Sequence, residues 1–249
     1  MFILDNLSNV ISRLFPFKRG LCHAYWAPNL WAVYNVADKA LVLVARKTGL
    51  LKTGESSVSM TAGLVQDIEH QVLPNISPLT TMILTMTLMI PALIKLWRSP
   101  GNTTQFIRCL ALCGWSSFLC GWHVHEKAVL LISLPMTLLG TTNKQDTRYF
   151  TLLSTVGHLS LFPLLFTSQE LPSKLLLFIS YTLLLHLTTS PSYNILESLY
   201  LSLGIPVVIY CEFIKSVSLP FLPLIIYSLY CAVGVIYCYI RVYTGYLLS

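Results

Sequence analysis

Residues 78–97 read PLTTMILTMTLMIPALIKLW, twenty positions whose only charge is Lys95. A helix of about 20 apolar residues is what ~30 Å of hydrocarbon requires, so this stretch predicts a membrane-spanning helix. Similar runs fill most of the chain. Working outward from 78–97, the hydropathy pattern predicts about eight segments, near 28–45, 78–97, 105–122, 127–142, 149–167, 173–190, 194–212 and 219–241. Over all 249 residues, 55% are hydrophobic and 10% charged, against roughly 25% charged in a soluble domain. Mean hydropathy is +0.68. The expected fold class is all-α, a polytopic transmembrane helix bundle forming one domain over residues 1–249. No sizeable soluble domain fits, so chemistry must sit in short loops or at helix ends.

Pro91, Pro135, Pro163 and Pro206 fall inside predicted segments. Membrane helices tolerate proline where neighbours satisfy the freed backbone groups, so an irregular bundle is expected. Net charge is +6, but the basic residues stand singly or in pairs at the ends of apolar runs. That placement reads as a topology signal and not as a nucleic-acid surface. With the residues before segment one on the cytosolic side, alternation puts nine basic residues there: Arg13, Lys18, Arg19, Lys95, Arg98, Arg108, Lys144, Arg148 and Arg241. The opposite side takes six: Arg46, Lys47, Lys52, Lys127, Lys174 and Lys215. The expected orientation has both ends cytosolic and the loop at 47–77 lumenal, folded over the bundle as a lid. That loop holds a sequon at Asn75 that Pro78 and the nearby membrane should leave unused, and the sequon at Asn102 falls on the cytosolic side. Residues 1–10 lack the basic start and small-residue cleavage site of a signal peptide. Of the seven cysteines, six lie in or beside apolar segments, with neither a disulfide framework nor a zinc spacing.

Gly121-Trp122-His123-Val124-His125-Glu126-Lys127 sets two imidazoles, a carboxylate and an ammonium between two apolar segments. A charge at membrane depth costs roughly 2.5–3.5 kcal/mol on insertion scales, so such groups usually face water or a charged ligand. Three readings stay open on the residues alone. A metal site would need further ligands, and none is evident nearby. Glu126 and Lys127 could be an interfacial pair at the start of segment four. Or His125 and Lys127 donate to an anionic lipid phosphate, with Glu126 orienting one of them. In segment one, Asn35, Asp38 and Lys39 share one helix face, read as a buried polar contact that fixes packing. His158, His186, Glu197 and Glu212 are read as packing or interfacial residues.

Two strings together, RLFPFKRGLCHAYWAPN at 13–29 and GWHVHEK at 121–127, resemble the dolichyl-phosphate-glucose-dependent glucosyltransferases of the endoplasmic reticulum. The wording of the strings is similar to the branch that adds the second glucose, an alpha-1,3 transfer; the first-glucose branch has an RGLFED version of the first string and QVHEK in the second. The resemblance runs on to Cys231-Ala232-Val233-Gly234. It implies a GT-C-like bundle in the endoplasmic reticulum membrane, dolichyl phosphate glucose as donor, a dolichol-linked oligosaccharide as acceptor, the lipid bilayer as surroundings, and no cofactor or metal. It implies that His125 and Lys127 bind the donor phosphate, supported by His123 and Glu126. The family's proposed catalytic carboxylate lies upstream of anything matching Arg13, so the chain resembles a carboxy-terminal portion and the general base is expected outside it. Two other classes compete: a catalytically silent membrane subunit, and a polytopic transporter, which should show repeat symmetry that is absent here.

Overall fold

The computed structural model describes residues 10, 20–21, 27–49, 70–100, 102–165, 167–214 and 221–248. Among the described residues eight α-helices coincide with the eight predicted segments: α1 Leu30–Lys47, α2 Pro78–Arg98, α3 Thr103–Cys120, α4 Leu130–Leu139, α5 Lys144–Leu159, α6 Leu171–Thr189, α7 Ile195–Ile209 and α8 Leu222–Leu248. No strand of a sheet occurs among the described residues. Polar caps mark where the chain enters its helices. The side chains of Asn29, Ser77, Asn102, Asn143 and Asn194 each accept from backbone N–H groups of the first turn, and Asn194 with Glu197 closes a capping box.

Among the described residues four helices are long and apolar enough to cross a membrane on their own: α2, α6, α7 with the π-helical turn Tyr210–Ile214 that follows it, and α8. The other traverses, α3, α4 and α5, are shorter or more polar, and packing explains why. Trp115, Leu112 and Phe118 of α3 and Leu152, Leu153 and Val156 of α5 are fully buried, so these helices form the protein-facing centre while α2 and α6 make the apolar rim. In that centre Ser116, Thr151 and Ser154 return hydrogen bonds to nearby main-chain or side-chain oxygens. Pro91, Pro135 and Pro206 lie within helices as expected. Pro163 instead stands in a 3-10 turn, Phe162–Leu164, beyond the end of α5, because its missing N–H and ring disfavour a continued helix.

Paired ends establish the course of α2 to α8. At one end Arg108 bonds Asp146, Arg148 bonds Glu197 at 2.7 and 2.9 Å, Arg241 reaches the Tyr149 hydroxyl at 3.0 Å, and Lys95 donates to the Tyr246 carbonyl. At the other end Lys174 meets Glu212 at 2.9 Å and Tyr227 donates to Glu212 at 2.8 Å. The last of α3, the connection 121–129 and the first turns of α2, α6 and α8 share that second end, called here the His-Glu-Lys end.

Segment one departs from expectation. Trp31 Nε1 donates to the Gly121 carbonyl at 2.9 Å, and Ser228 donates to the Ala27 carbonyl at 3.3 Å, so α1 begins at the His-Glu-Lys end. Its middle is held by residues 70–74, just ahead of α2 at the same end. Only ~13 Å of helix remains after Asp38, too little for a ~30 Å layer. Helix α1 therefore starts at this end and is tied to it again at its middle, unlike the helices that run from one paired end to the other. The predicted orientation is corrected accordingly: residues 20–31 share a face with residues 121–127, while α8 ends on the opposite face. The charge count, which needed the residues before α1 on the far side, no longer fixes the orientation. Residues 50–69 of the expected lid, and Arg13, Lys18 and Arg19, lie outside the described residues.

Candidate functional site

The polar face of α1 becomes a clasp. Asp38, 2% exposed, accepts from the backbone N–H groups of Gln71 at 3.2 Å, Val72 at 3.0 Å and Leu73 at 2.8 Å. Three converging amides give a carboxylate the charge-assisted bonds that make its burial tolerable. Tyr34 adds its hydroxyl to the Pro74 carbonyl at 2.8 Å, and His70 lies 2.9 Å from Asn35 Oδ1 and packs edge-on against Tyr34. Asn75 Oδ1 in turn accepts from the His70 N–H at 2.8 Å. The expected buried polar contact exists, with a loop as partner instead of a neighbouring helix.

The connection 121–129 carries the second motif. Gly121 caps α3, and a Cβ there would meet Ser117 O at 2.3 Å and Val124 Cγ2 at 2.9 Å, so only glycine permits the sharp exit. His123 follows with φ +52°, the left-handed region that costs a non-glycine residue of order 1–3 kcal/mol. What holds it there is visible. Its N–H donates to the Leu21 carbonyl at 3.0 Å and its Nδ1 lies 2.8 Å from the Gly20 carbonyl. His123 is 5% exposed and its ring stands edge-on to that of His125, centroids 5.5 Å apart.

Beyond it the side chains divide. His125 and Lys127 are exposed, whereas Glu126 opens the 3-10 turn Glu126–Val129 with 2% exposure. Burial pushes the Glu126 carboxyl up to about 7, against the opposing pull of its own backbone N–H and the Lys127 charge. A proton at this carboxyl is therefore exchangeable near neutral pH. The four predicted site residues thus form one patch: two cationic or hydrogen-bonding groups facing out, a titratable carboxyl beneath them, and a buried histidine tying them to residues 20–21. Among the described residues no group of three His, Cys, Asp or Glu side chains could hold a metal ion.

His158, His186, Glu197 and Glu212 all have structural partners. His158 Nδ1 lies 2.6 Å from Ser154 O, His186 bridges Thr182 O and the Tyr193 hydroxyl, and both glutamates are ion-paired. Sequence reasoning missed Asp38's role as a loop anchor and Trp31 as the cap on Gly121. The cue for Trp31 was its place at the first turn of α1, straight after the first motif string.

These geometric relations join strings a hundred residues apart, and comparison with known proteins joins the same two strings in a family. Residues 1–242 match the family described as ALG6, ALG8 glycosyltransferase. The chain is 48% identical over 258 aligned residues to the "Dolichyl pyrophosphate Glc1Man9GlcNAc2 alpha-1,3-glucosyltransferase" of Mus musculus, covering 98% of this chain and 49% of the relative. Its namesake in Bos taurus is 46% identical, covering 99% and 49%, and a "Probable" one in Drosophila melanogaster is 44% identical, covering 94% and 47%. The chain spans about half the length of the curated relatives it matches. With nearly its whole length matched, the chain belongs to the ALG6, ALG8 glycosyltransferase family.

Proposed function

We propose that this chain forms the donor-phosphate half of a membrane glucosyltransferase that moves glucose from dolichyl phosphate glucose to the monoglucosylated, dolichol-linked oligosaccharide by an alpha-1,3 bond. The observation that carries this reading is the bonding of residues 20–21 to His123, which gathers both family strings at one end of the bundle. The acceptor is the one named for the relatives, and the reaction balances simply. An acceptor hydroxyl oxygen attacks C1 of glucose, the bond from C1 to the phosphate oxygen breaks, the phosphate leaves on dolichol, and the hydroxyl proton passes to a carboxylate.

His125 and Lys127 would meet the departing phosphate, where charge develops and preorganised donors contribute most. Glu126, buried beneath them, would orient His125 and set its charge. The general base is assigned to the portion of the family's length outside this chain. The His-Glu-Lys end would face the lumen of the endoplasmic reticulum, with residues 47–77 as a lumenal loop over it.

The test is the protein expressed at native length in cells lacking the second glucosyl transfer, with His125→Ala and Lys127→Ala compared against wild type by profiling lipid-linked oligosaccharides. Wild type should convert the one-glucose species and each variant should leave it to accumulate, with a loss of about 10²-fold for a lost phosphate donor. Full conversion by both variants would remove His125 and Lys127 from the site. No conversion by wild type would remove the activity.

A further inference from the structure

The geometry points to His123 as a positioning residue that pins residues 20–21 against the second motif and so fixes the ring of His125; this rests on the proposed donor-phosphate reading. Three observations converge on it. His123 is held at φ +52°, a conformation that a non-glycine residue keeps only when its surroundings over-determine it. Both its main-chain N–H and its ring bond to consecutive carbonyls, of Leu21 at 3.0 Å and Gly20 at 2.8 Å, across a hundred residues of sequence. Its ring then presents an edge to His125, two residues on and exposed, at 5.5 Å between centroids and 85° between planes.

Imidazole suits this task. The Nδ1 side of the ring meets Gly20 and so sets the ring plane, and that plane decides where the neighbouring imidazole stacks. The left-handed backbone turns the chain so that residues 123 and 125 stand side by side, with Glu126 directed inward and Lys127 outward. Trp31 braces Gly121, two residues before His123, by donating to its carbonyl, so the pin closes a belt from α3 through residues 20–21 to α1. His123 itself, 5% exposed, is shielded from substrate and acts through His125.

The experiment compares His123→Gly and His123→Asn with wild type in the protein at native length, reconstituted with dolichyl phosphate glucose and the monoglucosylated acceptor. Glycine keeps the main-chain bond to Leu21 and adopts positive φ without strain, so the bundle stays folded while the ring contacts are lost. Asparagine tolerates the left-handed region and carries an amide N–H that can reach the Gly20 carbonyl. The expected result for His123→Gly is a rise of about threefold to tenfold in KM for the donor, the factor one hydrogen bond is worth, with acceptor KM unchanged and most of the loss regained in His123→Asn. Equal donor KM in wild type and His123→Gly, or an asparagine variant as impaired as the glycine one, overturns the assignment. A second readout does not depend on turnover: amide hydrogen exchange of peptides covering residues 121–127 should speed up in His123→Gly at unchanged thermal stability. Unaltered exchange there overturns the pin even if wild type proves inactive, and faster exchange with an inactive wild type sustains the pin while sinking the proposed reaction.

Discussion

Replacing Gly234 by alanine should loosen α8 from α7, and the structure sets the size of the effect. Tyr200 and Tyr230 stack at 4.6 Å with planes 8° apart, and each donates its hydroxyl to the other's main-chain carbonyl, at 2.6 and 2.9 Å. Each hydroxyl passes over a glycine four residues on from the partner tyrosine. A Cβ on Gly234 would lie 2.4 Å from the Tyr200 hydroxyl and 3.0 Å from its Cζ, and one on Gly204 would lie 2.8 Å from the Tyr230 hydroxyl. For Gly234 the ring must shift by about 1 Å to restore ordinary contact, which breaks a bond worth ~1 kcal/mol and disturbs a stack worth ~1 kcal/mol. Leaving the Tyr200 hydroxyl without its acceptor adds ~1 kcal/mol, and the better helix propensity of alanine returns ~1 kcal/mol. The net expectation is a loss of about 2 kcal/mol, or roughly 4–8 °C in a chain of this size. Size-exclusion thermal melts in detergent measure it. Gly204→Ala, with the milder approach, should lose less, and Tyr200→Phe should shrink the cost of Gly234→Ala by removing the atom it strikes. A Gly234→Ala protein as stable as wild type, or a cost unchanged in the Tyr200→Phe background, refutes the interlock.

Two further outcomes follow from buried charges. Lys174, also bonded to the Leu165 carbonyl at 3.1 Å, is buried and the Glu212 side chain is largely so, so Lys174→Met alone should destabilise by about 3–5 kcal/mol through a stranded carboxylate, while Lys174→Met with Glu212→Gln recovers most of it; equal melting temperatures for the single and double variants would count against the pair. The Glu126 carboxyl has its folded-state value raised from 4.5 to about 7, so the native state binds the extra proton, and stability present below about 4.5 is lost as pH rises through about 7. Melting temperature should therefore fall between pH 5 and 8 more steeply in wild type than in Glu126→Gln, and parallel pH profiles would show that Glu126 is not the titrating group.

The sequence by itself determined the helices. Runs such as 78–97 and 173–190 are long and predominantly apolar, and the cost of an unpaired backbone in hydrocarbon leaves a helix as the only form for them. It also singled out His123, His125, Glu126 and Lys127, because ionisable groups stand out against an apolar background. The path of α1 could not be read in this way. Asn35 and Asp38 mark a face that must be satisfied, but whether a traversing helix or a loop satisfies them depends on three amides at 71–73 that carry no side-chain signature. A charge count based on strict alternation then carried the error to the orientation. Likewise, spacing offered no hint that His123 would be buried in a left-handed turn while His125 is exposed. That division arises from hydrogen bonds to Gly20 and Leu21, a hundred residues away, and long-range pairing of backbone groups is a property that only the tertiary structure possesses.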